Sequence, residues 1–211
     1  TAAGGPRIEL DLDELDRRLD GISLADADSY GHGPLRGAVL VEAGLGGPDA
    51  VRQLLADIPD SFPRPILVRL QLDGGRYDKL VKQMARASKL PVALAVAEQP
   101  ADAGTIYVLP PTMTVLRDRA RLVFAEADVA HAAHALYAEL PPNDSALLFL
   151  SGSSPALVDI AMELAPDGAL VAAQSPDTCY DGAPSSALIA RAGTAAAPAE
   201  LAASLAERWP S

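Results

Sequence analysis

Residues 38 to 70 read AVLVEAGLGGPDAVRQLLADIPDSFPRPILVRL, and this stretch decides the fold. An apolar run, Ala38 to Ala43, stops at a turn of Gly44, Leu45, Gly46 and Gly47. Pro48 then opens a helical pattern that reaches Asp57, and a second apolar run, Pro65 to Leu70, follows. Short, nearly continuous apolar runs on either side of a helix are the pattern of strands buried on both faces of a parallel sheet. A glycine-rich strand-to-helix turn commonly holds a phosphate or a nucleophile, because backbone approaches a ligand closely there and helix-terminal N–H groups point at it. No side chain of this turn can attack, coordinate or carry charge.

The same alternation continues to the end of the chain. Further strands are expected at Val92 to Val96, Thr105 to Leu109, Ala146 to Leu150 and Ala169 to Ala173. Helices are expected at Tyr77 to Lys89, Glu126 to Leu140, Pro155 to Leu164, Pro184 to Ala192 and Pro198 to Arg208. A hairpin is expected where residues 115–117 and 121–123 flank Asp118, Arg119 and Ala120. The pattern predicts an α/β fold, a doubly wound and mostly parallel sheet between two helical layers, with the hairpin appended. In such a sheet the site lies beyond the carboxyl ends of the strands, which directs attention to Gly44–Gly47, Gln71–Gly75, Ser151–Ala156 and Gln174–Gly182.

Composition narrows the function. The net charge of −11 argues against nucleic acid or an anionic membrane as a partner, and no run approaches the ~20 apolar residues of a membrane span. Cys179 is the single cysteine, so no internal disulfide or cysteine-rich zinc site is expected, as suits a reducing cytoplasm. The first 37 residues hold eight acidic residues against Arg7, Arg17, Arg18 and Arg36, with Ile8, Leu12, Leu15 and Leu19 at helical spacing. They are read as an acidic linker, with the domain at 38–211; the start at Thr1 fits a piece of a longer protein.

The expected site is short of chemistry. Counting from Gly44, the dinucleotide fingerprint would place glycine where Asp49 stands, and no phosphate-binding Gly-Lys-Ser follows. Ser151 and Ser153 offer hydroxyls and Cys179 a thiol, but each needs a base, and the available histidines, His131 and His134, sit three apart on a helix. The pair is read as an ordinary surface pair. No metal or other cofactor is expected. Gly46 and Gly47 could still present N–H groups to an anion at the helix start.

Taken in order, these segments resemble the catalytic domain of the CheB-type protein-glutamate methylesterases of bacterial chemosensory systems. EAGLGGP, Glu42 to Pro48, stands where that family has GxSTGGP, and AVRQLLADIPDSFPRPILV, Ala50 to Val68, resembles its next helix and strand. GTIYVLPP, Gly104 to Pro111, resembles GxxYxAPG. LLFLSG, Leu147 to Gly152, matches the strand that ends in TGMGxDG. DGALVAAQSPDTCYDGAP, Asp167 to Pro184, resembles the GxxxxAQ segment with its later GMP. The similarity runs from Ala38 to Leu205.

The family uses a Ser-His-Asp triad to hydrolyse glutamate methyl esters on chemoreceptors. The resemblance places Gly44 at the serine, Gln71 at the histidine and Ala156 at the aspartate, none of which can serve as nucleophile, base or orienting acid. It leaves Leu45, Gly46, Gly47, Ser151, Gly152, Ser153, Gln174 and Cys179 as the lining of a vestigial pocket. Two expectations follow. One is a catalytically inactive binding or regulatory module in a chemotaxis or type IV pilus pathway, with a chemoreceptor, sensor kinase or receiver domain as partner. The other is a methylesterase, deamidase or other hydrolase with a relocated nucleophile at Ser151, Ser153 or Cys179.

Overall fold

The computed structural model describes residues 33–72 and 74–210; the expected acidic segment lies outside them apart from its last five residues. Seven parallel strands form the main sheet: β1 (Val39–Ala43), β2 (Ile66–Leu70), β3 (Val92–Leu94), β4 (Ile106–Leu109), β7 (Ala146–Phe149), β8 (Leu170–Gln174) and β9 (Thr194–Ala196). Their order is β3-β4-β2-β1-β7-β8-β9. β5 (Met113–Asp118) and β6 (Arg121–Glu126) pair antiparallel as a separate hairpin. The helices are α1 (Gly47–Ala56), α2 (Tyr77–Ala87), α3 (Val129–Glu139), α4 (Ala156–Leu164), α5 (Ala183–Ala190) and α6 (Pro198–Arg208).

Strand alternation sorts β1 onto two cores. Val39, Val41 and Ala43 face one cluster with Val51, Leu54 and Leu55 of α1, Leu80 and Met84 of α2, and Leu201 and Leu205 of α6. Ala38 and Leu40 face the other, with the hairpin and with residues of α3, α4 and α5 such as Leu136, Val158 and Leu188. The sheet is therefore covered on both sides, the arrangement that its apolar strands require.

Three expectations need correction. The helix expected from Glu126 begins at Val129, because β6 continues to Glu126 in register with Met113 and Asp128 is still extended. β9 was read as part of no strand: Thr-Ala-Ala carries little strand preference, and only pairing with β8 orders it. β3 is an edge strand, with Leu94 exposed, and not a strand buried on both faces.

The amino-terminal edge of the sheet is held by one carboxylate. Asp144 accepts hydrogen bonds from the Gly37 N–H at 2.7 Å, from Arg64 Nε at 2.8 Å and Nη2 at 2.9 Å, and from Trp209 Nε1 at 3.0 Å. It thereby joins the entries to β1, β2 and β7 to the end of α6. Burial raises the pKa of this carboxyl, but the bonds from Arg64, Gly37 and Trp209 and the Arg64 charge outweigh it, and the pKa lies below the ordinary value. Replacing Asp144 with Ala should cost about 4 kcal/mol, since each of the four hydrogen bonds is worth about 1 kcal/mol net. A lowered folded pKa means that the ionic part of this stabilisation is present above the unfolded pKa of about 3.9 and is lost as pH falls through the folded value. Urea midpoints of wild type and Asp144→Ala should thus differ widely near neutrality and converge in acid.

Candidate functional site

Parallel register aligns the carboxyl ends of the central strands: Ala43 is level with Leu70, Glu42 with Phe149, and Phe149 with Ala173. The winding reverses at β1, with β2, β4 and β3 on one side and β7, β8 and β9 on the other. Gly44–Gly47, Ser151–Ala156 and the loop after Gln174 meet at this switch point, where α/β folds hold their ligands.

Here the space is occupied by backbone. Gly44 is buried, donates its N–H to the Ser151 carbonyl at 3.0 Å, and accepts the Gly47 N–H at 2.8 Å. A Cβ at position 44 would stand 1.9 Å from the Gly152 carbonyl oxygen; one at Gly152, whose φ is +74°, would stand 2.0 Å from the Leu45 nitrogen. Only glycine on both sides permits this approach. Gly46, also left-handed at φ +77°, lies under Tyr180, and a Cβ there would be 2.5 Å from the Tyr180 Cβ. The Gly47 N–H, one of the two expected anion donors, is already spent inside the turn.

Ser151 fastens this arrangement. It is 1% exposed, its hydroxyl donates to the Leu45 carbonyl at 2.9 Å and accepts from the Asp181 N–H at 2.9 Å, and its own N–H donates to Gln174 Oε1 at 2.9 Å. Gln174 is buried too and donates Nε2 to the Thr178 carbonyl at 2.8 Å and hydroxyl at 3.1 Å. Gly152 donates to the Asp181 carbonyl at 3.1 Å. Three loops are therefore stitched together through Ser151 and Gln174. Ser153 is buried with its hydroxyl on the Leu150 carbonyl at 2.8 Å. Cys179 is half-buried, with its Sγ 3.5 Å from Ser185 Oγ and 3.8 Å from the Gln174 carbonyl.

The expected residues thus fall into two sets. Gly44, Gly46, Gly47, Ser151, Gly152, Gln174 and the backbone of Leu45 form one hydrogen-bonded floor, while Leu45 itself is 67% exposed. Gln71 and Ala156, in contrast, are exposed, the first at the end of β2 and the second at the start of α4. His131 and His134 are exposed on α3, where His131 faces Asp128 at 3.6 Å, and neither takes part in the hydrogen bonds of Ser151, Ser153 or Cys179. Among the described residues, no three His, Cys, Asp or Glu side chains cluster as a metal would require, and no helix is long and apolar enough to cross a membrane.

One charged group escaped the sequence reading. Glu42 is 5% exposed and pairs with Arg69 Nη1 at 2.8 Å while its Oε1 also accepts the Tyr137 hydroxyl at 3.0 Å. Burial raises the Glu42 pKa above the ordinary carboxyl value; the Arg69 charge and the bonds from Tyr137 and Arg69 oppose that rise without cancelling it. The Tyr137 hydroxyl is pushed well up by burial and by the adjacent Glu42. The signal was present: Glu42 and Arg69 are the only charges in VLVEA and ILVRL, and in parallel register they are direct partners.

Comparison with known proteins agrees with the fold. A protein-glutamate methylesterase/protein-glutamine glutaminase of Carboxydothermus hydrogenoformans is 34% identical over 84 residues, which is 40% of this chain and 25% of that protein. Another, from Hahella chejuensis, is 28% identical over 150 residues, 67% of this chain and 43% of that protein. The chain thus spans less than half the length of these relatives. The crystal structure of the Thermotoga maritima CheB methylesterase catalytic domain superposes with a TM-score of 0.71 over 82% of this chain and 98% of that one; at 18% identity this likeness speaks for the fold. Residues 39–205 match the family described as CheB methylesterase, so that the chain belongs to the CheB methylesterase family.

Proposed function

We propose that this domain is a binding or regulatory module of a chemosensory pathway, built on the methylesterase scaffold without its hydrolytic chemistry. The observation that carries the reading is the contact of Gly44 with Gly152: the position aligned with the nucleophile lacks a side chain, and a Cβ there would meet a carbonyl oxygen at 1.9 Å. An acyl-transfer site needs a hydroxyl, a base and room for a tetrahedral centre about 3 Å from both. This switch point offers none of them together. The same filling disfavours a relocated nucleophile, because the Ser151 and Ser153 hydroxyls are committed to carbonyls inside the floor. The partner, on this reading, is a chemoreceptor, a sensor kinase or a receiver domain, and the acidic segment 1–37 is a linker to a preceding domain.

Two measurements test it. Methanol release from methylated chemoreceptor should match a no-protein control, and a fluorophosphonate probe should leave Ser151 and Ser153 unlabelled. Turnover above the control, or stoichiometric labelling of either serine, would return the domain to the hydrolases.

A further inference from the structure

Charge in this protein is segregated onto one helix. Residues 73–89 hold Arg76, Lys79, Lys82, Arg86 and Lys89 against Asp73 and Asp78, a local +3 in a chain of −11, and the three lysines are all that the sequence contains. Packing explains which way they face. Leu80 and Met84 are buried, with Tyr77 and Val81 packed beside them, so that face of α2 is committed to the core. Lys79, Lys82 and Arg86 are exposed on the remainder, and Arg76 and Lys89 are exposed at its two ends. Among the described residues none of them makes an ion pair, whereas Arg52, Arg64, Arg69, Arg117 and Arg191 each have a carboxylate partner.

The stripe adjoins a groove. Pro48, Leu72 and Leu80 supply its apolar lining and Arg76, Lys79 and Gln83 its polar one, around a cavity of about 180 Å³. That volume is below the roughly 300–1,000 Å³ of pockets that enclose a small-molecule ligand, but it suits a single aliphatic side chain. Among the described residues, no carboxylate lines it.

We infer that the exposed face of α2 and the groove beside it form a docking surface for an acidic, amphipathic helical segment of a partner protein, with one apolar side chain of that segment seated between Pro48, Leu72 and Leu80. The occupant follows from charge and size. From Arg76 to Lys89 the stripe runs about 20 Å at 1.5 Å per residue, the length of a short acidic helix. Charge is felt over about 8 Å at physiological salt, so a helix confined to the stripe gains attraction without meeting the negative remainder of the molecule. A nucleic acid or an anionic membrane extends past the stripe and meets the net −9 that residues 33–72 and 90–211 carry. The apolar lining, moreover, has no counterpart on a phosphate backbone.

This inference rests on the reading of the domain as a protein-binding module, and methanol release tests that reading separately. The probe is a synthetic helical peptide of about 14 residues, glutamates along one face and leucines at helical spacing beside them, titrated against the whole 211-residue chain. Binding should weaken at least about tenfold between low and high salt, and at least about tenfold again in K79E/K82E/R86E, because exposed pairs each contribute modestly but act together. Thermal melting of that variant should be unchanged, since the three side chains are exposed and make no ion pair. A peptide with glutamine for glutamate should not bind. The inference is overturned by no binding, by equal binding of the glutamine peptide, by indifference to the charge reversal, or by tighter binding of duplex DNA or phosphatidylserine vesicles than of the acidic peptide. Any of these outcomes with methanol release still absent would leave the module reading standing and remove only this surface.

Discussion

Replacing Gly44 with Ser is expected to destabilise the domain by about 3 kcal/mol and to restore no esterase. The cost is that of overpacking, since a Cβ built on this backbone falls 1.9 Å from the Gly152 oxygen and 2.5 Å from its carbonyl carbon. Neither atom belongs to a side chain that could rotate away. Relief requires the loop after β7 to retreat, and that loop is anchored by the Ser151 hydroxyl on Leu45 and Asp181 and by the Gln174 amide. Gly44→Ser, Gln71→His and Ala156→Asp together should therefore release no methanol from a methylated chemoreceptor, although they rewrite all three aligned positions. Urea denaturation measures the stability loss and a methanol assay the activity. Wild-type stability in Gly44→Ser, or turnover in the triple variant, would show that the two backbones part readily and that the filled site is only one of its states.

A comparable effect is expected from Arg69→Met. Removing one partner of a buried ion pair costs about 3–5 kcal/mol, because the remaining charge stays in the interior without compensation. Glu42 would keep only the Tyr137 hydroxyl. Its pKa, already raised by burial against the opposition of Arg69, would rise further once that opposition is gone. A carboxyl with a raised folded pKa contributes stability that is complete below the unfolded value of about 4.3 and is lost as pH rises through the folded value. The variant should therefore lose more stability at pH 8 than at pH 5, as followed by chemical denaturation. Glu42→Leu, Arg69→Met and Tyr137→Phe in combination should recover most of it, since replacing a whole buried polar cluster by apolar groups is often close to neutral. Equal loss at both pH values in Arg69→Met would mean that Glu42 is not the group responsible.

These two predictions mark where the sequence was legible and where it was not. Among the described residues, apolar runs and helical spacing located six of the seven strands of the main sheet, the hairpin and the six α-helices, because burial on two faces leaves a plain composition signal. β9 was invisible since three small residues acquire strand geometry only from β8. The end of β6 was misplaced for a related reason: hairpin pairing with Met113 extends it to Glu126. Within the site, the sequence showed the glycine turn, while the alignment of Gly44, Gln71 and Ala156 with a triad rests on the resemblance alone. It gave no sign that Ser151, a candidate nucleophile by composition, is a buried clip whose hydroxyl is committed on both sides.

The sequence by itself determined the succession of strands and helices, the family resemblance and the residue types that the resemblance aligns with a catalytic triad, Gly44, Gln71 and Ala156, because these are properties of residue type along the chain. Tertiary structure decided what stands beside Gly44. Gly44 and Gly152 are 108 positions apart, and their contact exists only because β1 and β7 are neighbours in parallel register, which carries both loops to one edge of the sheet. It likewise decided that Glu42 and Arg69 neutralise each other in the interior, and that Lys79, Lys82 and Arg86 of α2 are left exposed once Leu80 and Met84 have turned the other face into the core.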